Sequence, residues 1–269
     1  MFSPNRLSCT IVCASLLLSA SVLLTGCDTL ATTNPSANAV DVTGNWQISS
    51  SAPAANKLPA LSGEFTGTSA SLTGILHSDS ASACIAPATA VEVMGSTSQG
   101  ITTVTGANVA GGTLTISGTL AANGKSFSNA TYNITGGACA FATPATGVTA
   151  QDYSPITGNY MGSFSDPSGQ VITVAATLTQ SPASDTDGNF TLSGTGTFPS
   201  NPCFNSPVTV SNTQVTGGSF TLTYADSTTT NSVTGSGTFS ADGTTLTVTN
   251  WTLTGPCGPD SGTGLLTKQ

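Results

Sequence analysis

The feature that most constrains this chain is that its core sequence is written twice, so whatever it folds into must be made in duplicate. Thr43-Gly44-Asn45-Trp46 returns as Thr157-Gly158-Asn159-Tyr160. Ser117-Gly118-Thr119-Leu120-Ala121-Ala122-Asn123-Gly124 returns as Ser236-Gly237-Thr238-Phe239-Ser240-Ala241-Asp242-Gly243. Tyr132-Asn133-Ile134-Thr135-Gly136 returns as Trp251-Thr252-Leu253-Thr254-Gly255. The two later matches share an offset of 119 residues and the first has 114, so the second copy carries a small insertion. Two domains are expected, at 43–151 and 152–269, with Gln151-Asp152-Tyr153-Ser154-Pro155 as a short joint.

The cysteines follow the duplication. Cys84 and Cys139 lie 55 residues apart in the first copy, and Cys203 and Cys257 lie 54 apart in the second. Four cysteines allow three pairings. The repeat selects one bridge per copy, Cys84–Cys139 and Cys203–Cys257, in a chain that meets an oxidising compartment.

Thr and Val recur in short runs bounded by Gly, Asn and Asp, the pattern of an all-β protein with many turns. In the second copy, eight strand-like runs begin near Gly158, Gln170, Gly188, Pro207, Ser219, Ser232, Thr244 and Gly262. Asp242-Gly243 and its counterpart Asn123-Gly124 are hairpin signals that favour type I′ turns. Leu246 and Val248 alternate with Thr245, Thr247 and Thr249, and the phase then changes to Trp251 and Leu253, which predicts a bulge near Asn250. The final run, Gly264-Leu265-Leu266-Thr267-Lys268, is expected to close the second sheet against the strand containing Tyr160. Eight consecutive short strands suit an antiparallel up-and-down barrel, whose closure removes sheet edges. The alternative is a pair of β-sandwiches. The immunoglobulin type places a Tyr two residues before its second cysteine, where this chain has Gly137 and Gly255.

Two resemblances add to this reading. The openings Thr43-Gly44-Asn45-Trp46 and Thr157-Gly158-Asn159-Tyr160 resemble the Gly-x-Trp start of lipocalins and the Thr-Gly-x-Trp start of avidins. The resemblance implies eight-stranded barrels that hold a small apolar or amphipathic ligand. Trp46, Tyr132, Tyr160 and Trp251 are the candidate lining residues, and strands rich in Thr, Ser, Gly and Ala would leave room inside. At the N-terminus, Met1 to Arg6 is positively charged and Leu7 to Leu24 is mostly apolar, as in a secretory signal. Leu24-Thr25-Gly26-Cys27 then resembles the lipobox of bacterial lipoproteins. This implies a signal peptide over 1–26, a lipid on Cys27 and a flexible tether over 27–42, with a membrane-spanning anchor as the alternative. The expected place is the bacterial cell envelope, on a membrane through the lipid.

Charge limits the remaining classes. Beyond residue 26 there is no Arg, and Lys57, Lys125 and Lys268 face twelve carboxylates. Nucleic-acid binding, which needs clustered cations, is excluded. His77 is the only histidine, so a Ser–His–acid triad would have to use it, and the second copy has no equivalent. Glu64 and Glu92, the only glutamates, follow no spacing rule that would pair them as in glycosidases. Asp185-Thr186-Asp187-Gly188-Asn189 begins like a calcium loop but lacks the later acidic ligand, and reads as a turn. No catalytic residue, metal site or cofactor is assigned, and the chain is not expected to be an enzyme. It is expected to bind a small apolar ligand or a partner through its barrels, with a structural or adhesive envelope module as the alternative.

Overall fold

A computed structural model describes residues 39–50, 60–80, 84–85, 89–140, 145–199, 201–204 and 207–269. The signal peptide, Cys27 and the tether to residue 38 lie outside the described residues.

The chain forms two closed antiparallel barrels of eight strands each. The first is built from β1 (Gly44–Ser50), β2 (Leu61–Thr68), β3 (Ser71–Ser78), β4 (Val91–Ser98), β5 (Ile101–Val109), β6 (Gly112–Leu120), β7 (Ser126–Thr135) and β8 (Ala145–Tyr153). The second comprises β9 (Gly158–Ser165), β10 (Val171–Gln180), β11 (Leu192–Thr197), β12 (Val208–Thr216), β13 (Ser219–Ala225), β14 (Ser232–Phe239), β15 (Thr245–Thr254) and β16 (Asp260–Lys268). Within each barrel every strand pairs with its neighbour in sequence, and β1–β8 and β9–β16 close the rings. Closure rules out the sandwich alternative, in which two sheets stay open.

Period-two alternation sorts the residues. On β15, Leu246 and Val248 are buried while Thr247 and Thr249 are exposed. The register slips between Val248 and Trp251, which returns Trp251 and Leu253 to the interior across a bulge. On β16, Leu266 is buried and Leu265 is 51% exposed, as opposite faces require. The abundant Thr and Ser therefore face outward, and Val, Leu, Ile and aromatic side chains occupy both interiors. The Asn123-Gly124 and Asp242-Gly243 hairpins differ from the type I′ expectation. Only the glycines take positive φ (74° and 69°), and Gly124 and Gly243 donate to the carbonyls of Ala121 and Ser240. These are type I turns followed by a left-handed glycine, stabilised by side-chain acceptors at Asn123 and Asp242.

Both bridges form, with Cα separations of 5.6 Å for Cys84–Cys139 and 5.9 Å for Cys203–Cys257. Residues 40–42, read from sequence as the end of a tether, are instead fixed to the first barrel. Val40 and Ser69 exchange backbone and side-chain hydrogen bonds, Val42 N donates to Gly67 O, and the Val42 side chain is fully buried.

Candidate functional site

The outer wall of β1–β3 carries side chains that sequence alternation places toward solvent, yet several are buried. Asn45, Ser62 and His77 are 2%, 0% and 6% exposed. The second barrel covers them. Asn45 Nδ2 donates to Gly217 O at 2.8 Å, and Gly217 N donates to Asn45 Oδ1 at 2.9 Å. One amide thus satisfies both backbone groups at the β12–β13 turn. Gly217 has φ 52°, and a Cβ there would meet Ser62 Oγ at 2.5 Å and Gln47 Cβ at 2.8 Å, so the docked turn needs glycine. Beside it, the Tyr153 ring packs edge-on against Phe239, with centroids 5.3 Å apart. Asp79 Oδ2 accepts from Gln47 Nε2 and Ser62 Oγ, each at 2.9 Å.

The loop between β10 and β11 makes the second attachment. Asp185 Oδ1 accepts from the backbone N–H groups of Asp187 and Asn189, each at 2.9 Å, which holds the loop as a turn. The calcium-like run is therefore a docking turn. Ser184 donates to Glu64 Oε2 from its backbone N and from Oγ, at 3.2 and 2.6 Å. Gly188 lies against the first barrel, where a Cβ would come within 2.7 Å of Ile75 O and 3.5 Å of His77 Nδ1. His77 Nδ1 is buried without a hydrogen-bond partner among the described residues.

Next to this junction lies a trough of ≈ 1020 Å³ on the outer wall of β2–β5. Its floor carries Thr66, Thr73, Ile75, Glu92, Met94 and Thr105, and Glu64 and Thr186 stand at the side nearest the second barrel. Met94 is 67% exposed. Glu64, Ile75 and Glu92 are register partners on three successive strands, so one row carries a carboxylate, an apolar side chain and a second carboxylate. A smaller hollow of ≈ 340 Å³ lies on the second barrel, lined by Asn159, Met161, Ala175, Thr177 and Gln269 among others.

The four aromatic residues proposed as a lining are all in the interior. Trp46 is fully buried between Phe65 and Phe127, with its Nε1 donating to Val42 O at 2.8 Å. Trp251 stacks on Phe164 and donates to Thr263 O at 3.0 Å. Tyr160 OH donates to Gly243 O at 2.6 Å. Tyr132 is fully buried, and burial, with the Asp79 charge as a lesser cause, pushes its phenol well above the usual range. None of Trp46, Tyr132 and Trp251 borders either hollow, and Tyr160 borders only the smaller. Glu64 and Glu92 do share the trough, though on strands two apart. Among the described residues, no three His, Cys, Asp or Glu side chains are grouped to hold a metal ion. Asn45 and Gly217 were not singled out from sequence. The one available signal was the retention of Asn45 as Asn159 in the duplicated opening.

No family model matches the chain, and no curated protein matches it. Among solved structures, that of kievitone hydratase from Nectria haematococca is similar at 11% identity, covering 84% of this chain and 88% of that one, with a TM-score of 0.24. That protein is an enzyme, and on this finding the expectation that the chain is not an enzyme is withdrawn. A likeness of this size transfers neither an activity nor a site.

Proposed function

We propose that this chain is a lipid-anchored protein of the bacterial envelope that binds a partner on the outside of its first barrel, in the trough across β2–β5. The observation that carries this reading is where the open space lies. Both interiors hold tightly buried apolar clusters, while the larger hollow is external and bordered by both barrels. An apolar ligand inside either barrel would have to displace buried side chains such as Trp46 or Trp251, at a cost of several kcal/mol (about 3–5 for the loss of one such contact set). The anchoring half of the proposal rests on Leu24-Thr25-Gly26-Cys27 at the end of an apolar run.

Two measurements test it. Cys27→Ser should release the exported chain from the membrane fraction, and firm retention would refute the lipid anchor. Hydrogen exchange on the full-length protein, with and without envelope extract from its own host, should show protection over 72–76, 92–95 and 104–107. Protection confined to the barrel ends, or none anywhere, would remove the trough from consideration.

A further inference from the structure

Accepting the trough as the binding surface, we infer that its occupant is an extended polypeptide segment bearing lysine or arginine. Among the described residues the trough has no cationic side chain in its lining, yet it contains Glu64 and Glu92. Glu92 is exposed and has no partner among the described residues, and Glu64 is oriented by Ser184 through one oxygen. Asp185 and Asp187 flank Thr186 at the rim. A carboxylate beneath a partly enclosed wall raises the local concentration of cations.

The ligand count separates an organic cation from a metal ion. Glu64 and Glu92 pair with Ile75 from opposite sides, two strand spacings apart, or about 9.6 Å. Calcium takes six to eight oxygen ligands, and among the described residues no three His, Cys, Asp or Glu side chains are grouped there to supply them. Lysine and arginine fit for a second reason. Their long apolar stems lie along apolar surface while the charged head reaches a polar group. Here Ile75 lies between the carboxylates, and Met94 is exposed two residues along β4 from Glu92. Alternate residues of an extended chain point to one face, so basic side chains at every second position would meet this floor together. The hydroxyls of Thr66 and Thr73, which bond one another at 2.9 Å, and of Thr105, which donates to Met94 O at 3.4 Å, keep lone pairs that can accept from a peptide backbone along the next row.

The test uses the full-length protein in detergent micelles and dye-labelled peptides Lys-Thr-Lys-Thr-Lys, Glu-Thr-Glu-Thr-Glu and Ser-Thr-Ser-Thr-Ser, followed by fluorescence anisotropy. Saturable binding is expected for the basic peptide alone, weakening as salt shortens the Debye length below about 10 Å. Glu92→Gln should lower its affinity about 1.5- to fivefold, the range for one exposed charge pair. Asp260→Asn, on the second barrel, should leave it unchanged. Met94→Lys should abolish binding by filling the floor with a like charge. Equal loss in Asp260→Asn and Glu92→Gln, an unchanged affinity in Glu92→Gln, or no binding of the basic peptide would overturn the inference. If the neutral peptide binds and Met94→Lys blocks it, or the acidic peptide binds and Met94→Lys strengthens it, the trough remains the site and only the cationic occupant is wrong. If Met94→Lys affects no binding at all, the trough itself is not the site.

Discussion

Asn45→Ala should loosen the two barrels from one another, and its cost follows from two hydrogen bonds. The Asn45 side chain is 2% exposed and serves both the N–H and the C=O of Gly217, at 2.9 and 2.8 Å. Truncation leaves a buried backbone donor and acceptor unpaired, each costing roughly 1–3 kcal/mol where water cannot replace the amide. A loss of about 2–6 kcal/mol is therefore expected, reduced toward about 1 if a water enters the space left by the amide. For a folded unit of this size that corresponds to roughly 2–4 °C in melting temperature per kcal/mol. Calorimetry on the full-length protein gives the number, and the duplicated chain supplies its own control. Asn159 occupies the same place in the second copy, but it is exposed, and its side-chain oxygen accepts from Thr177 Oγ1 at 2.9 Å rather than holding a turn of the other barrel. Asn159→Ala should cost no more than about 0.5 kcal/mol. Equal effects of the two substitutions, or an Asn45→Ala loss below about 0.5 kcal/mol, would show that the Gly217 contact does not hold the junction.

Asp152, buried beside Lys125 Nζ at 2.6 Å, has its pKa raised chiefly by burial, against the opposing pull of Lys125. Folding thus favours its protonated form, a contribution present at acid pH and lost as pH rises through the folded-state value. Asp152→Asn should be at least as stable as the parent at neutral pH, with the difference vanishing as pH falls below 3.8, and a less stable variant at neutral pH would mean the ion pair prevails. Replacing Cys84 and Cys139 with Ser opens a 55-residue loop and should destabilise the first barrel by about 4 kcal/mol in the chain-entropy model, read from denaturant midpoints; an unchanged midpoint would mean the bridge closes no entropy in the unfolded chain.

The barrels were legible because local signals agreed with one another. Turn residues marked the strand ends, Thr alternated with Leu and Val on β15, and the break of phase at Asn250 marked the bulge. The interior was misread for a related reason. A strand rich in Thr and Gly looks spacious when its composition is averaged, but period two sends nearly all the Thr outward. What fills the space is the minority of large residues, such as Trp46, Phe65 and Phe127, which meet from β1, β2 and β7 at centroid distances of 5.2 and 5.3 Å. No linear window contains all three. The type I′ expectation failed more locally, because the Asn and Asp serve as side-chain acceptors for Lys125 N and Thr244 N rather than taking positive φ themselves.

The site was less legible than the fold because its residues acquire their roles from a second surface. Asn45 and Asn159 are the same residue in the same motif, and only the first faces a turn. The turn that docks has Gly217 at φ 52°, whereas the corresponding position between β4 and β5 is Gln99 at φ 51°. The backbone is alike, but a Gln side chain could not sit where a single Cβ would already meet Ser62 and Gln47. The insertion that the unequal repeat offsets announced also belongs here. Only Ser69 and Ala70 separate β2 from β3, whereas residues 181–191 separate β10 from β11 and bring Ser184 to Glu64. Two of the differences between the copies thus lie where one barrel meets the other. The trough lies beside that meeting on the wall of the first barrel, with Thr186 of the same insertion at its rim, so the second copy adds an edge to a surface the first copy carries.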